Sequence, residues 1–272
     1  MSLFGLGEPK PLRLVPFSEE RPRLFSELLC DGFVVQNADR LADLVAKMRQ
    51  IEAEHPGYRA LVTLDNLNQA CYTSGHGTMM HELDDCDGHD LSGLDPAAFE
   101  AGEHLGYLST PSEFPIRLAN LLARAEGMAF ADACDLLFWD GDPASDPVSI
   151  NRQPDKTLNL KDERLVVLQL VPVSRSADLI AALPNGYFMS DLNPMQNHAL
   201  ALHMSEQYGL ELFGIGSRFL GFWAGAALEE AQAVQLAADL LRLYSEAPAD
   251  AGEQLAAVLA GRNCVLLRYT ES

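Results

Sequence analysis

The segment His76-Gly77-Thr78-Met79-Met80-His81-Glu82-Leu83-Asp84-Asp85-Cys86-Asp87-Gly88-His89-Asp90 places three histidines, one cysteine and five carboxylates within fifteen residues. Imidazole and thiolate suit zinc, and carboxylates suit calcium. The spacing follows neither rule. His81-Glu82 has no second histidine four residues on, so it is not the zinc-protease helix. Asp85, Asp87 and Asp90 do not repeat the calcium-loop order of ligands at positions 1, 3 and 5 with glycine at 6. No metal and no cofactor is expected. A metal-dependent hydrolase built on residues 76–90 is kept as the alternative. The simpler reading is an acidic loop that docks a partner through Glu82, Asp84, Asp85, Asp87 and Asp90.

A second constellation surrounds Trp139: Asp140, Asp142 and Asp146 follow it in Asp140-Gly141-Asp142-Pro143-Ala144-Ser145-Asp146-Pro147. Paired carboxylates can share acid and base roles when an apolar wall separates their pKa values. The proline and glycine content makes this a turn, where aspartate is favoured because it bonds its own backbone. A tryptophan among acids also suits the stacking of an arginine from a partner.

Other chemistry is poorly supported. His198 and His203, five apart on one helix, fall on different faces and cannot easily share a metal. Cys30, Cys71, Cys86, Cys134 and Cys264 are odd in number, widely spaced and lack a CxxC pair. That argues against a disulfide framework and a zinc finger, and suits a reducing cytosol. Cys134 and Cys264 sit in apolar runs with no nearby histidine. GxxxxGK[ST], GxGxxG and GxSxG are absent, and Gly214-Ile215-Gly216-Ser217 is too short to cradle phosphate. No enzymatic activity is expected.

Charge is the strongest compositional signal. The 272 residues carry 39 acids and 19 bases, a net charge of −20. Residues 1–155 hold 26 acids and 11 bases, and residues 156–272 hold 13 and 8. Between Arg59 and Arg117 there are ten acids and no Lys or Arg; between Arg124 and Arg152 there are six more. Such a field repels nucleic acid and anionic membranes and attracts basic surfaces. No run approaches eighteen apolar residues, so no transmembrane helix is expected, and the first ten residues lack the pattern of a secretory signal. A cytoplasmic location and a monomer or weak homodimer follow as expectations.

The elements that must position these groups read as an α+β fold. Helical spacing covers 17–29 and 39–54, and Arg59–Leu64 reads as a strand. Residues 75–94 read as a long loop, 114–126 as a helix and 130–139 as a helix or strand. After the turn at 140–157, a nearly continuous apolar strand at 164–173 is followed by helices at 176–182, 194–208, 228–244 and 249–259. Strands are expected at 211–215, 219–223 and 264–269. The order suggests two subdomains: an acidic α+β unit at 1–157, and at 158–272 a mixed β-sheet with packed helices.

Residues 165–272 resemble an uncharacterised family of bacterial cytosolic domains, some of which are treated as candidate immunity proteins because they sit near toxin genes. The matching layout is Val171-Pro172, Asn193-Pro194, His198, Tyr208-Gly209 with Glu211 after it, Leu236-Ala237, Tyr244, Pro248 and Asp250, then a last short strand. Departures are the residue before Pro172, where the family often has cysteine, and the final strand Leu266-Leu267-Arg268-Tyr269, where it often has more aromatics. In overall acidity the chain is similar to immunity proteins of type VI secretion effectors. The resemblance implies an immunity protein or antitoxin; the base-free acidic stretches and the absence of catalytic motifs point to a basic toxin or effector domain, a nuclease in the first instance, as what it binds and neutralises, and a cytosolic adaptor is the remaining alternative.

Overall fold

Two apolar runs, Arg59–Leu64 and Val166–Val171, have few polar positions on either face, and such strands belong where a sheet is covered twice. In the computed structural model, which describes residues 11–19, 28–139, 141–142, 146–158 and 165–270, both lie in the interior of one seven-stranded mixed sheet. The strands are β1 (Arg13–Pro16), β2 (Gly32–Gln36), β3 (Arg59–Leu64), β7 (Val166–Val171), β8 (Glu211–Gly216), β9 (Phe219–Trp223) and β11 (Cys264–Arg268). Their order across the sheet is β1-β2-β7-β3-β8-β9-β11. Only β3 and β8 run parallel; the other neighbours are antiparallel. Short pairs lie outside it: β4 (Phe99–Glu100) with β5 (Glu103–His104), and β6 (Leu137–Phe138) with β10 (Tyr244–Ser245).

Alternate side chains enter opposite cores. Val35, Val62, Leu64 and Leu168 face α1 (Leu41–Glu54), whose Leu41, Leu44, Val45, Met48 and Ile51 form the expected buried stripe. Val34, Leu61, Val167 and Ile215 face the larger core. It is built with α2 (Leu67–Met80), α3 (Phe114–Arg124), α5 (Pro194–Tyr208), α6 (Glu230–Leu241) and α7 (Ala251–Leu259); α4 (Pro147–Arg152) packs on α7 and β11.

The α+β class holds, but the expected division does not describe this sheet. β7, from beyond residue 157, lies between β2 and β3 from before it, with Val34 opposite Val167 and Val62 opposite Leu168. The C-terminal residues therefore have no sheet of their own, because apolar strands of both halves find their second cover only in each other.

A second correction concerns residues 75–94. Helix α2 continues to Met80, and only then does the chain turn. The glycines read as loop signals have another cause. A Cβ at Gly77 would lie 2.7 Å from the Pro184 carbonyl, so glycine lets the helix pack against that backbone. The side chain of Asn66 caps the helix by accepting from the Gln69 N–H at 3.0 Å. Of the helix expected at 17–29, residues 20–27 lie outside the described residues, and Phe17–Glu19 form a turn. The segment 130–139 is a 3₁₀ turn followed by β6, and 176–182 is a 3₁₀ helix. Gly209 closes α5 with φ 63°, as its position implied.

Asp65 joins the halves again. It sits at φ 47° after β3, buried, and its carboxylate accepts from the Ser217 N–H at 2.6 Å, the Ser217 hydroxyl at 3.1 Å and the Arg218 N–H at 2.9 Å. Burial pushes its pKa up from 3.8 to about 6, although the backbone N–H groups of Ser217 and Arg218 oppose the rise.

Two outcomes follow. A fragment of residues 158–272 expressed alone will show no cooperative thermal unfolding by near-ultraviolet circular dichroism; a sharp transition would restore the two-unit division. For Asp65, the folded state holds the proton more tightly than the unfolded chain, so the charge penalty grows as pH rises from about 4 to about 6. The unfolding free energy of the wild type minus that of Asp65→Asn will fall across that window by roughly 3 kcal/mol. A difference that rises or stays flat in urea titrations at pH 4 and 7 would contradict this.

Candidate interaction site

Trp139 is not the exposed anchor that its place among acids suggested. Trp139 is 8% exposed, sits edge-on to Tyr244 with ring centroids 5.6 Å apart, and donates its backbone N–H to Ser245 at 3.1 Å. It is part of the larger core because β6 and β10 bring it there. Asp146 is spent on the helix cap: its Oδ1 accepts from the Val148 and Ser149 N–H groups, both at 3.0 Å. Asp142 is exposed, and Asp140 lies outside the described residues.

The other acidic group lies on a turn braced by α3. After α2, Glu82 takes a left-handed conformation (φ 48°) and turns the chain beneath α3. Leu83 is fully buried and anchors the turn. Asp84 meets Arg117 of α3 in a two-point pair, Nε to Oδ1 at 2.6 Å and a terminal nitrogen to Oδ2 at 2.8 Å. The Asn120 amide donates to the Leu83 and Asp85 carbonyls at 2.9 and 2.8 Å, and its oxygen meets His89 Nε2 at 2.9 Å. Glu82 pairs with Arg124 at 2.7 Å in the open. The turn is therefore held rather than loose. Asp85 Oδ1 accepts from the Asp87 N–H and Asp90 Oδ1 from the Ser92 N–H, each at 3.0 Å. The bond to the Ser92 N–H keeps Asp90 below the ordinary carboxylate range.

Glu82, Asp84 and Asp85 converge with Ser74, Tyr107 and Arg117 around a cavity of about 340 Å³. Asp87 and Asp90 lie beyond it on the exposed turn. The outer face of α2 beside the cavity shows Tyr72, Met79 and Met80, all exposed. The three histidines of the segment diverge: His76 stacks on Tyr187 at 4.8 Å, His89 bonds Asn120, and His81 caps α2. Burial and then Arg124 push His81 below its ordinary pKa. Among the described residues no three His, Cys, Asp or Glu side chains converge as ligands.

Sequence reading missed a cluster at the cavity's edge. Cys86 Sγ lies 3.8 Å from His104 Nδ1, and His104 Nε2 meets Glu113 Oε1 at 2.7 Å. Glu113 is fully buried; its other oxygen accepts from the Ser109 and Thr110 N–H groups at 2.8 and 2.7 Å. Burial alone would raise its pKa, but the bonds from Ser109, His104 and Thr110 outweigh it and hold the carboxylate low. Thr110-Pro111-Ser112-Glu113 is a capping box, the signal that could have found it. The order thiol, imidazole, carboxylate has the outline of a nucleophilic site, but its chemistry is wrong. His104 Nδ1 already accepts the Gly106 N–H at 3.1 Å. Burial, and then Glu113, Asp84, Asp85 and Asp87, raise the Cys86 thiol above its usual pKa, so the thiolate is disfavoured. The cluster fixes the strap that carries Tyr107 to the rim.

The histidines of α5 are paired separately. Buried His198 meets Asp178 at 3.0 Å, and His203 meets Asp239 at 2.8 Å. Burial lifts the thiols of Cys30 and Cys264 to about 12.

No family model, curated protein or solved structure matches this chain. The resemblance of residues 165–272 rests on their sequence layout alone. Among the described residues no helix is long and apolar enough to cross a membrane.

Trp139→Ala will lower stability by about 3–5 kcal/mol, the range for truncating a buried large aromatic. Urea unfolding measures it; a loss under about 1 kcal/mol would mean that the ring is not part of the core.

Proposed function

We propose that the protein works by binding, and that its partner is a basic protein domain docked on the acidic turn and the outer face of α2. The supporting observation is the set of carboxylates Glu82, Asp84 and Asp85, held on a braced turn in a stretch with no Lys or Arg between Arg59 and Arg117. Beside them stand exposed Tyr72, Met79, Met80 and Tyr107, which supply apolar contact area. Interfaces of this kind combine aromatic and methionine anchors with a polar rim, and complementary charge speeds encounter.

A domain that handles nucleic acid must present positive charge to phosphate. A nuclease effector is thus the partner whose neutralisation such a surface serves best, and the chain's role is then that of a cytoplasmic immunity protein. The resemblance of residues 165–272 to candidate immunity domains supports the same reading. Binding of this sort needs no cofactor and no catalytic group.

The test is capture from the source cell, followed by kinetics on the purified pair. The wild type should retain a basic protein and suppress its nuclease activity. Glu82→Gln with Asp85→Asn should slow association by about tenfold and flatten its salt dependence, with little change in dissociation. Thermal unfolding of the variant should match the wild type. An acidic partner, or an affinity that ignores salt, would end the electrostatic account.

A further inference from the structure

We infer that the cavity beside α2 receives a single arginine side chain of the partner, an assignment that rests on the docking reading of the same face. Three carboxylates line it against one guanidinium, and that guanidinium, Arg117, is already engaged at two points by Asp84. Glu82 and Asp85 are left to meet an incoming cation. The Glu82–Arg124 pair is largely exposed to water, so exchange of its partner costs little. Asp85 is exposed, and among the described residues its carboxylate accepts only from the Asp87 N–H, through Oδ1.

A second observation is independent of charge. Ser74 is fully buried in the wall of the cavity, and its hydroxyl is one of several buried side-chain groups with no hydrogen-bond partner among the described residues. On a helix such a hydroxyl ordinarily returns to a carbonyl one turn back, as neighbouring Thr73 does to Gln69 at 2.9 Å. Buried polar groups in folded proteins are almost always paired, so this one marks a place for a donor from outside.

The shape of the site selects guanidinium over ammonium. Tyr107 and Met79 stand exposed at the mouth, an aromatic face for a flat cation and a soft apolar wall for its stem. A guanidinium spreads five N–H groups in one plane and can reach two carboxylates and a hydroxyl together. A lysine ammonium is compact and strongly hydrated, and gains less from the ring. At about 340 Å³ the cavity is near the lower limit for ligand pockets, enough for a side chain, and its carboxylates repel phosphate.

The experiment titrates the full-length protein with N-acetyl-arginine amide, and with its lysine and citrulline counterparts, followed by amide chemical shifts. The arginine compound should give saturable shifts at Ser74, Thr78, Glu82 and Tyr107, bind about tenfold tighter than the lysine compound and leave citrulline without effect. Asp85→Asn on the exposed turn, and Ser74→Ala in the wall, should each weaken the arginine compound severalfold without lowering the melting temperature. Equal binding of citrulline, binding of lysine as tight as arginine, or shifts confined to another face would overturn the assignment. If a basic partner still docks with charge dependence while the arginine compound does not bind, the cavity loses its role and the docking reading stands. If the arginine compound binds and no basic partner exists, the docking reading falls and the arginine site remains.

Discussion

The pairing of β7 between β2 and β3 is the constraint from which the rest of the structure follows. Gln169 and Leu168 lie opposite Gly32 and Phe33 on one side, and opposite Leu61 and Val62 on the other. There is no room for a larger residue at position 32, where a Cβ would run into the Leu168 backbone. Once β3 is fixed in the sheet, the left-handed turn at Asp65 and the cap at Asn66 set the direction of α2. Helix α2 in turn delivers Ser74 and Met79 to the cavity and aims the chain into the acidic turn. The outermost charges are thus positioned by the innermost strands.

The acidic excess divides by use. Asp65, Glu113, Asp178 and Asp239 are buried or half-buried and spent on backbone N–H groups, histidines or arginines within the fold. Asp84 balances Arg117. Asp95 and Asp146 cap helical turns. What remains exposed on the turn after α2 is Glu82, Asp85, Asp87 and Asp90. A net charge of −20 is therefore not one uniform field. Part of it is internal structure, and part is left facing solvent beside apolar side chains.

Local elements were legible wherever a single pattern decided them. The stripe of α1, the bounds of β3, the Asn193-Pro194 start and Gly209 end of α5, and the hairpin of β8 and β9 all follow from periodicity and cap chemistry. Sheet order was not legible. Apolar strands announce that they are buried but not which neighbour they choose, so β7 reads equally well as the centre of a separate sheet. Gly75 and Gly77 mimicked a loop because glycine has two uses, freedom at turns and closeness in packing, and only the position of Pro184 separates them. Of the site, the acidic residues were found by composition. Ser74, Tyr107 and Arg117 were not, because they come to the cavity from three segments far apart in the chain that share no local motif. Trp139 was misplaced as an anchor for a related reason: its partner Tyr244 is more than a hundred residues away.

The interleaved sheet also bears on how the chain is made. β2 and β3 leave the ribosome long before β7, and β8 follows later still. At ordinary synthesis speeds the hundred-odd residues between Val62 and Leu168 take roughly 5–20 s to appear. Throughout that interval β3 has neither of its neighbours and β2 has only β1, so apolar edges stand open, which is the condition under which nascent chains aggregate or recruit chaperones. The high negative charge of the first 155 residues keeps neighbouring nascent chains apart during that wait. The same carboxylates that face outward in the finished molecule thus have an earlier service, as a solubilising coat for a half-made sheet.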